Sequence, residues 1–227
     1  MSGGAKVPGF LSRLAPRRTA EPSVAAEVYP VDPDLVVPSK AFHKFIAALR
    51  SRPAPVLIDL GPVIGSNVAY FGETLGCKIH VEDIYADLER FEREQRLAEL
   101  PAFAAARFQQ KDASVDGILC WDLFDFLDRR TTQAVASQLA RVLAVNGALF
   151  GFFSTAHPHA RRLTKFVVVD ENTLLHRPYS NARMQQAVLQ NRDIIRLFDS
   201  LRVNDSFLLH TNVREILFRK PAYLAAP

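Results

Sequence analysis

From about residue 39 onward, the hydrophobic positions of this chain alternate between two rhythms. Lys40–Arg50 carries Phe42, Phe45, Ile46 and Leu49 at helical spacing behind Ser39, a residue suited to cap a helix start. Val56-Leu57-Ile58-Asp59-Leu60 is a short apolar run of the kind buried on both faces of a sheet, and Gly61 and Pro62 stop it. The pattern then predicts a helix over 66–75, a second strand over 78–83 ending in Glu82 and Asp83, and a charged helix over 85–100. A strand over 115–121 and an amphipathic helix over 131–143 follow, and Asn146-Gly147 marks a tight turn into a buried strand over 148–153. No strand is legible between 100 and 114.

The last third changes character. Residues 166–169 and 173–176 flank Asp170-Glu171-Asn172, which predicts a hairpin inserted at 166–176. A long helix is expected over 181–200, then an antiparallel pair over 201–209 and 213–218 with one strand entering the sheet edge. Before residue 39, Pro16, Pro22, Pro30, Pro33 and Pro38 interrupt any helix, so 1–38 reads as a flexible arm ahead of one domain at 39–220. Short apolar strands alternating with helices imply an α/β fold, a mainly parallel sheet with an antiparallel C-terminal strand and helices on both faces.

Composition narrows the classes of function. Lys6, Arg13, Arg17 and Arg18 precede the first acidic residue, and without them 24 basic residues balance 24 acidic ones. A balanced body argues against a nucleic-acid partner, and the basic start reads as a solvated tail. Mean hydropathy is +0.01, and no run approaches the roughly 20 apolar residues of a transmembrane helix. Residues 1–20 lack a secretory signal pattern, although Phe10, Leu11 and Leu14 suit a brief amphipathic turn; a cytoplasmic location is the expectation by elimination. Cys77 and Cys120 sit inside apolar strand runs, as buried thiols do, and suggest neither a disulfide nor a metal site.

The stretch Asp59-Leu60-Gly61-Pro62-Val63-Ile64-Gly65 combines a strand end, a glycine turn and a helix start, and Asp83 lies 18 residues beyond Gly65. A glycine there lets backbone approach a ligand, the helix start offers N–H groups, and an acid after the second strand can accept ribose hydroxyls. These residues resemble the first motif of class I S-adenosylmethionine-dependent methyltransferases, acidic-x-Gly-x-Gly-x-Gly, with Val63 in place of the second glycine. Residues 115–122 resemble the family's fourth strand, Leu139-Ala140-Arg141-Val142-Leu143 with Asn146-Gly147 its next helix and turn, and 214–218 its last strand. The resemblance implies a Rossmann-like methyltransferase fold with S-adenosylmethionine as cofactor. Asp59, Gly61, Pro62 and Gly65 would lie around the methionine part and Asp83 at the ribose, with Ile84, Trp121 and Asp122 near the adenine or the acceptor.

Candidates for the chemistry are sparser. His157 and His159 follow the fifth strand of the resemblance, where a base reaches an acceptor hydroxyl, and Asp122 is a third candidate. Together with His176 these histidines lack a carboxylate or cysteine at ligand spacing, so no metal is expected. Asp112 is the candidate for reading an adenine amine, and Arg161, Arg162, Lys165, Arg177 and Arg183 suit an anionic acceptor or a solvated hairpin. The leading expectation is methyl transfer to a small-molecule or peptide-borne acceptor. The alternative is a methyltransferase-like binding or scaffold protein without chemistry, which Val63 and the missing third strand would allow. A nicotinamide dehydrogenase ranks below both, because Gly-x-Gly-x-x-Gly is absent.

Overall fold

The computed structural model describes residues 34–155, 163–178 and 188–222, with Met1 and Gln185. The chain divides into the units Met1–Pro30 and Val31–Pro227, and the fold below is that of the second. Among the described residues, six strands form one sheet in the order β3-β2-β4-β5-β9-β8. Strands β2 (Val56–Asp59), β3 (Lys78–Val81), β4 (Val115–Trp121) and β5 (Leu143–Ser154) run parallel. Strand β9 (Val213–Arg219) is antiparallel to β5 and lies inside the sheet, with β8 (Arg202–Leu208) outside it as the edge. This is the expected mainly parallel α/β sheet.

Both faces are covered because the strands are apolar on both sides. Leu57, Leu119, Phe150 and Phe152 pack with Phe42, Phe45 and Leu49 of helix α1 (Lys40–Arg50). Ile58, Ile118, Leu149 and Phe153 face the other layer. That layer is built from α3 (Ile84–Arg93), α4 (Leu100–Arg107), α5 (Arg129–Val142) and α6 (Asn191–Leu197). Gly117 sets the depth of α1, since a Cβ there would stand 2.6 Å from a methyl of Leu49.

Helix α1 is capped from a distance. Its N-cap Ser39 accepts the Phe42 N–H at 3.1 Å. Glu215 of β9 receives the Ser39 hydroxyl and, at 3.2 Å, the Ala41 N–H, placing a carboxylate at the positive end of the helix. Glu215 is 1% exposed, and burial pushes its pKa above the usual carboxylate value, so these bonds hold a group that water no longer solvates.

Several boundaries differ from the pattern-based expectation. The helix expected over 66–75 is α2 (Gly65–Ala69), continued by a π-helical turn over Tyr70–Thr74. The charged segment is α3 and then a 3-10 turn over Leu97–Glu99: Gln95 takes φ 58°, Arg96 N–H bonds back to Phe91 C=O at 2.8 Å, and α3 ends before them. Helix α4 fills the stretch where no strand was legible, and Arg107 ties it down by bonding Glu82 at 2.9 Å and Asp87. Of the helix expected over 181–200, the described residues show α6; Gln190 before it is extended, although Leu189, Ile194 and Phe198 all pack on the core. Residues 179–184 and 186–187 lie outside the described residues, as do 2–33 and with them the basic tail.

The hairpin is present as β6 (Thr164–Val168) and β7 (Thr173–Pro178). A third strand, β1 (Leu35–Pro38), joins the hairpin from the segment expected as an arm: it pairs antiparallel with β7, Val36 opposite Leu175. Proline at 38 suited an arm as well as an edge strand, and only the pairing distinguishes them.

Removing the remote cap tests its weight. Glu215→Ala should lower stability by about 2–3 kcal/mol, read as a lower urea midpoint with unchanged slope, and Glu215→Gln should lose less, because its amide oxygen can still accept one of the two bonds.

Candidate cofactor cleft

The chain runs from β2 outward to β3 and then crosses back to β4 on the other side of β2. The order therefore reverses at β2, and the crevice between the carboxyl ends of β2 and β4 is the switch point where open α/β sheets bind ligands. Asp59, Gly61 and Pro62 stand at its β2 side and Trp121 and Asp122 at its β4 side, while Asp83 follows β3, the other neighbour of β2.

Asp59 is 5% exposed, and its Oδ1 accepts the Gly61 N–H at 2.9 Å and the Trp121 Nε1–H at 2.6 Å. Burial pushes its pKa up to about 6; the two hydrogen bonds oppose the shift and the nearby Asp83 charge adds to it. The folded state thus holds the Asp59 proton more tightly than the unfolded chain does. Stability from this group is greatest below the ordinary carboxylate value and is lost as pH rises through about 6.

Trp121 was expected to line the cleft; instead it fills it. Leu119 pairs with Phe150 and Trp121 with Gly151, so one residue of β4 bulges out. The bulge leaves Trp121 at φ 48°, a left-handed backbone that costs a bulky residue roughly 1–3 kcal/mol. The indole is stacked on Phe166 of β6 at 5.2 Å and 5°, and Phe166 on Phe152 at 4.7 Å. It also covers Gly61 so closely that a Cβ there would sit 2.7 Å from Trp121 Cδ1.

What remains between Leu60, Gly61, Pro62, Tyr85, Trp121 and Thr164 is about 10 Å³, the space of a single water. S-adenosylmethionine does not fit this arrangement. A larger hollow of about 430 Å³ lies between α5 and α6, lined by Arg129, Thr132, Asp193 and Arg196, away from the switch point.

The other expected residues divide. Asp83, near enough to Asp59 for its charge to act on that group, caps α3: its Oδ1 accepts the Ala86 N–H at 2.9 Å. Gly65 opens α2 with nothing near its missing side chain. Ile84 is fully buried in the core toward α3–α6. Val63 is 68% exposed, and no residue from Gly61 to Gly65 takes a positive φ, so the valine fits a turn that never uses a left-handed residue. Asp122 is buried and accepts the Thr164 N–H at 3.2 Å, while Asp125 accepts the Ser154 N–H at 2.9 Å, so the two carboxylates hold both ends of the connection from β5 to β6.

His157, His159, Arg161, Arg162 and Arg183 lie outside the described residues. His176 is buried against Phe152 and Phe166, Arg177 pairs with Asp34 at 2.9 Å, and Asp112 pairs with Arg141 at 2.6 Å near the amino end of β4, opposite the crevice. Among the described residues no three His, Cys, Asp or Glu side chains are grouped to hold a metal, and no helix is long and apolar enough to cross a membrane.

Asn67 is the residue that pattern reading missed. It is 2% exposed on α2; its Nδ2 donates to Phe166 C=O at 2.8 Å and its Oδ1 accepts the Val168 N–H at 2.8 Å. The amide thus serves β6 as a neighbouring strand would and pins the hairpin over the crevice. An asparagine in the first turn of a helix ordinarily signals only a helix start, so nothing local pointed to it.

The sequence matches no protein-family model and no curated protein sequence. Among solved structures it is similar to a TehB-like methyltransferase from Corynebacterium glutamicum, with 12% identity and a TM-score of 0.47 over 79% of this chain and 87% of that one. TehB from Haemophilus influenzae aligns at 14% identity and TM-score 0.46, over 78% of this chain and 61% of its own. A Burkholderia thailandensis N1-methyltransferase of 1,6-didemethyltoxoflavin, solved with its acceptor and S-adenosylhomocysteine, aligns at 16% and 0.45, over 81% and 79%. The fold assignment for this chain rests on its own strand order.

Two outcomes check this geometry. Asn67→Ala strands a buried C=O and N–H of β6 and should cost about 2–4 kcal/mol, a fall in unfolding midpoint of roughly 5–15 °C by calorimetry. The stability difference between the wild type and Asp59→Asn should shift by up to about 3 kcal/mol between pH 7 and pH 4, with the wild type gaining as pH falls, as denaturant titrations at each pH would read.

Proposed function

We propose that the chain is a divergent class I S-adenosylmethionine-dependent methyltransferase, binding its cofactor at the β2–β4 crevice and methylating a small-molecule or peptide-borne acceptor. The observation that carries this reading is the Asp59–Gly61 turn at the sheet's switch point, with Asp83 beside it at the end of β3. Asp83 is assigned to the ribose hydroxyls, and the turn from Asp59 through Pro62 to the methionine part. The cofactor would enter only with the Trp121 indole displaced and would then supply an activated methyl group; this chain would supply the buried carboxylate, the turn and a water-excluding aromatic wall of Phe152 and Phe166. A soluble, cytoplasmic setting belongs to the same proposal.

A second reading has its own observation. With Trp121 over Gly61, the crevice also suits a binding or scaffold protein in which the indole stays in place.

Thermal unfolding with S-adenosylhomocysteine separates the two. At about 100 times its dissociation constant the ligand should add about 2.7 kcal/mol and raise the midpoint by roughly 5–10 °C, and Asp83→Ala should abolish the shift. No shift at millimolar ligand would favour the scaffold.

A further inference from the structure

We infer that Trp121 is a built-in plug: its indole closes the cofactor crevice in the ligand-free protein, and the crevice opens by movement at residue 121 while the hairpin above it stays in place. The inference rests on the cofactor reading and specifies how access to that site is regulated.

The plug is held from several sides. The indole N–H bonds to the buried Asp59 carboxylate, the ring lies parallel on Phe166 and packs against Phe42 and Phe150, and its edge fits over Gly61 where no other residue leaves room. These contacts over-determine a backbone that the residue would not otherwise adopt, at φ 48° beside a one-residue bulge. Movement at residue 121 relieves that strain, which offsets part of what the lost contacts cost. The closed form is therefore held by one hydrogen bond and ring packing, and a ligand can displace it by giving Asp59 another N–H donor.

The alternative mover is the hairpin, and it is tied down. Asn67 bonds β6 at Phe166 and Val168, β1 pairs with β7 on the far side, and Asp122 holds the Thr164 N–H at the start of β6. Lifting the hairpin breaks all of these together, whereas swinging the indole breaks one hydrogen bond and its ring contacts. Trp121 is the cheaper hinge.

Trp121 is the chain's single tryptophan, so the plug reports on itself. Intrinsic fluorescence and acrylamide quenching of the full chain should be followed while S-adenosylhomocysteine is added, with binding measured in parallel by calorimetry. Without ligand, emission is expected at short wavelength and shielded from acrylamide. Saturation should red-shift it and raise the quenching constant. Phe166→Leu keeps an apolar filling but removes the stack, and should bind the ligand roughly three- to tenfold more tightly. Binding by the variant but not the wild type also supports the plug.

Ligand heat with unchanged emission and quenching would overturn the plug and leave the cofactor reading standing. No binding by either protein would overturn both. Should Phe166→Leu fail to fold by circular dichroism, the wild-type titration alone decides.

Discussion

A carboxylate buried at the end of a central strand must be satisfied, and much of the upper sheet is arranged around that requirement. Asp59 is almost without solvent, and its two donors come from the next turn and the next strand. The first requires the chain to fold back at Gly61 immediately after β2. The second requires β4 to bulge and turn its terminal tryptophan inward. An unsatisfied buried carboxylate costs far more than a strained φ, so the strain at Trp121 is the smaller of two penalties.

The same economy organises the lower-numbered face. Helix α1 enters the fold through a cap shared by Ser39 and Glu215, which joins the first helix of the domain to its last strand. Because β9 lies inside the sheet, this bond ties the two ends of the domain together at a buried point. Helices α3 and α4 fill the chain between β3 and β4 and leave β3 as an edge of four residues, a length that offers little to a second chain. Arg107 fastens α4 to Glu82 and Asp87 with charge-assisted hydrogen bonds.

The small sheet gives the crevice its roof. Phe166, Val168 and Leu174 point down into the aromatic cluster, and Asn67 supplies the hydrogen bonds that one edge of β6 would otherwise lack. A roof fixed by backbone bonds and a floor fixed by Asp59 leave the indole as the adjustable element between them. The polar groups that reach the site are thus used twice, once to hold the fold and once to define what a ligand must replace.

How much of this was legible in the sequence follows from the range of the forces involved. Hydrophobic period and turn residues act over a few positions, so 56–60, 115–121 and 148–153 announce themselves as strands, Gly61-Pro62 as their stop, and Asp170-Glu171-Asn172 as a hairpin turn. The acids Asp59 and Asp83 could be assigned to one crevice because strand ends in an alternating α/β chain share one edge of the sheet. Pairing of β1 with β7, the amide of Asn67 against β6 and the cap from Glu215 each join residues more than 90 positions apart, and no local pattern encodes them. Trp121 shows the division most clearly. Its place at the end of β4 is a matter of sequence; whether its ring lines the crevice or fills it depends on a one-residue bulge and on Phe166 across the site, because side-chain direction is set by packing between segments that meet only in the folded chain.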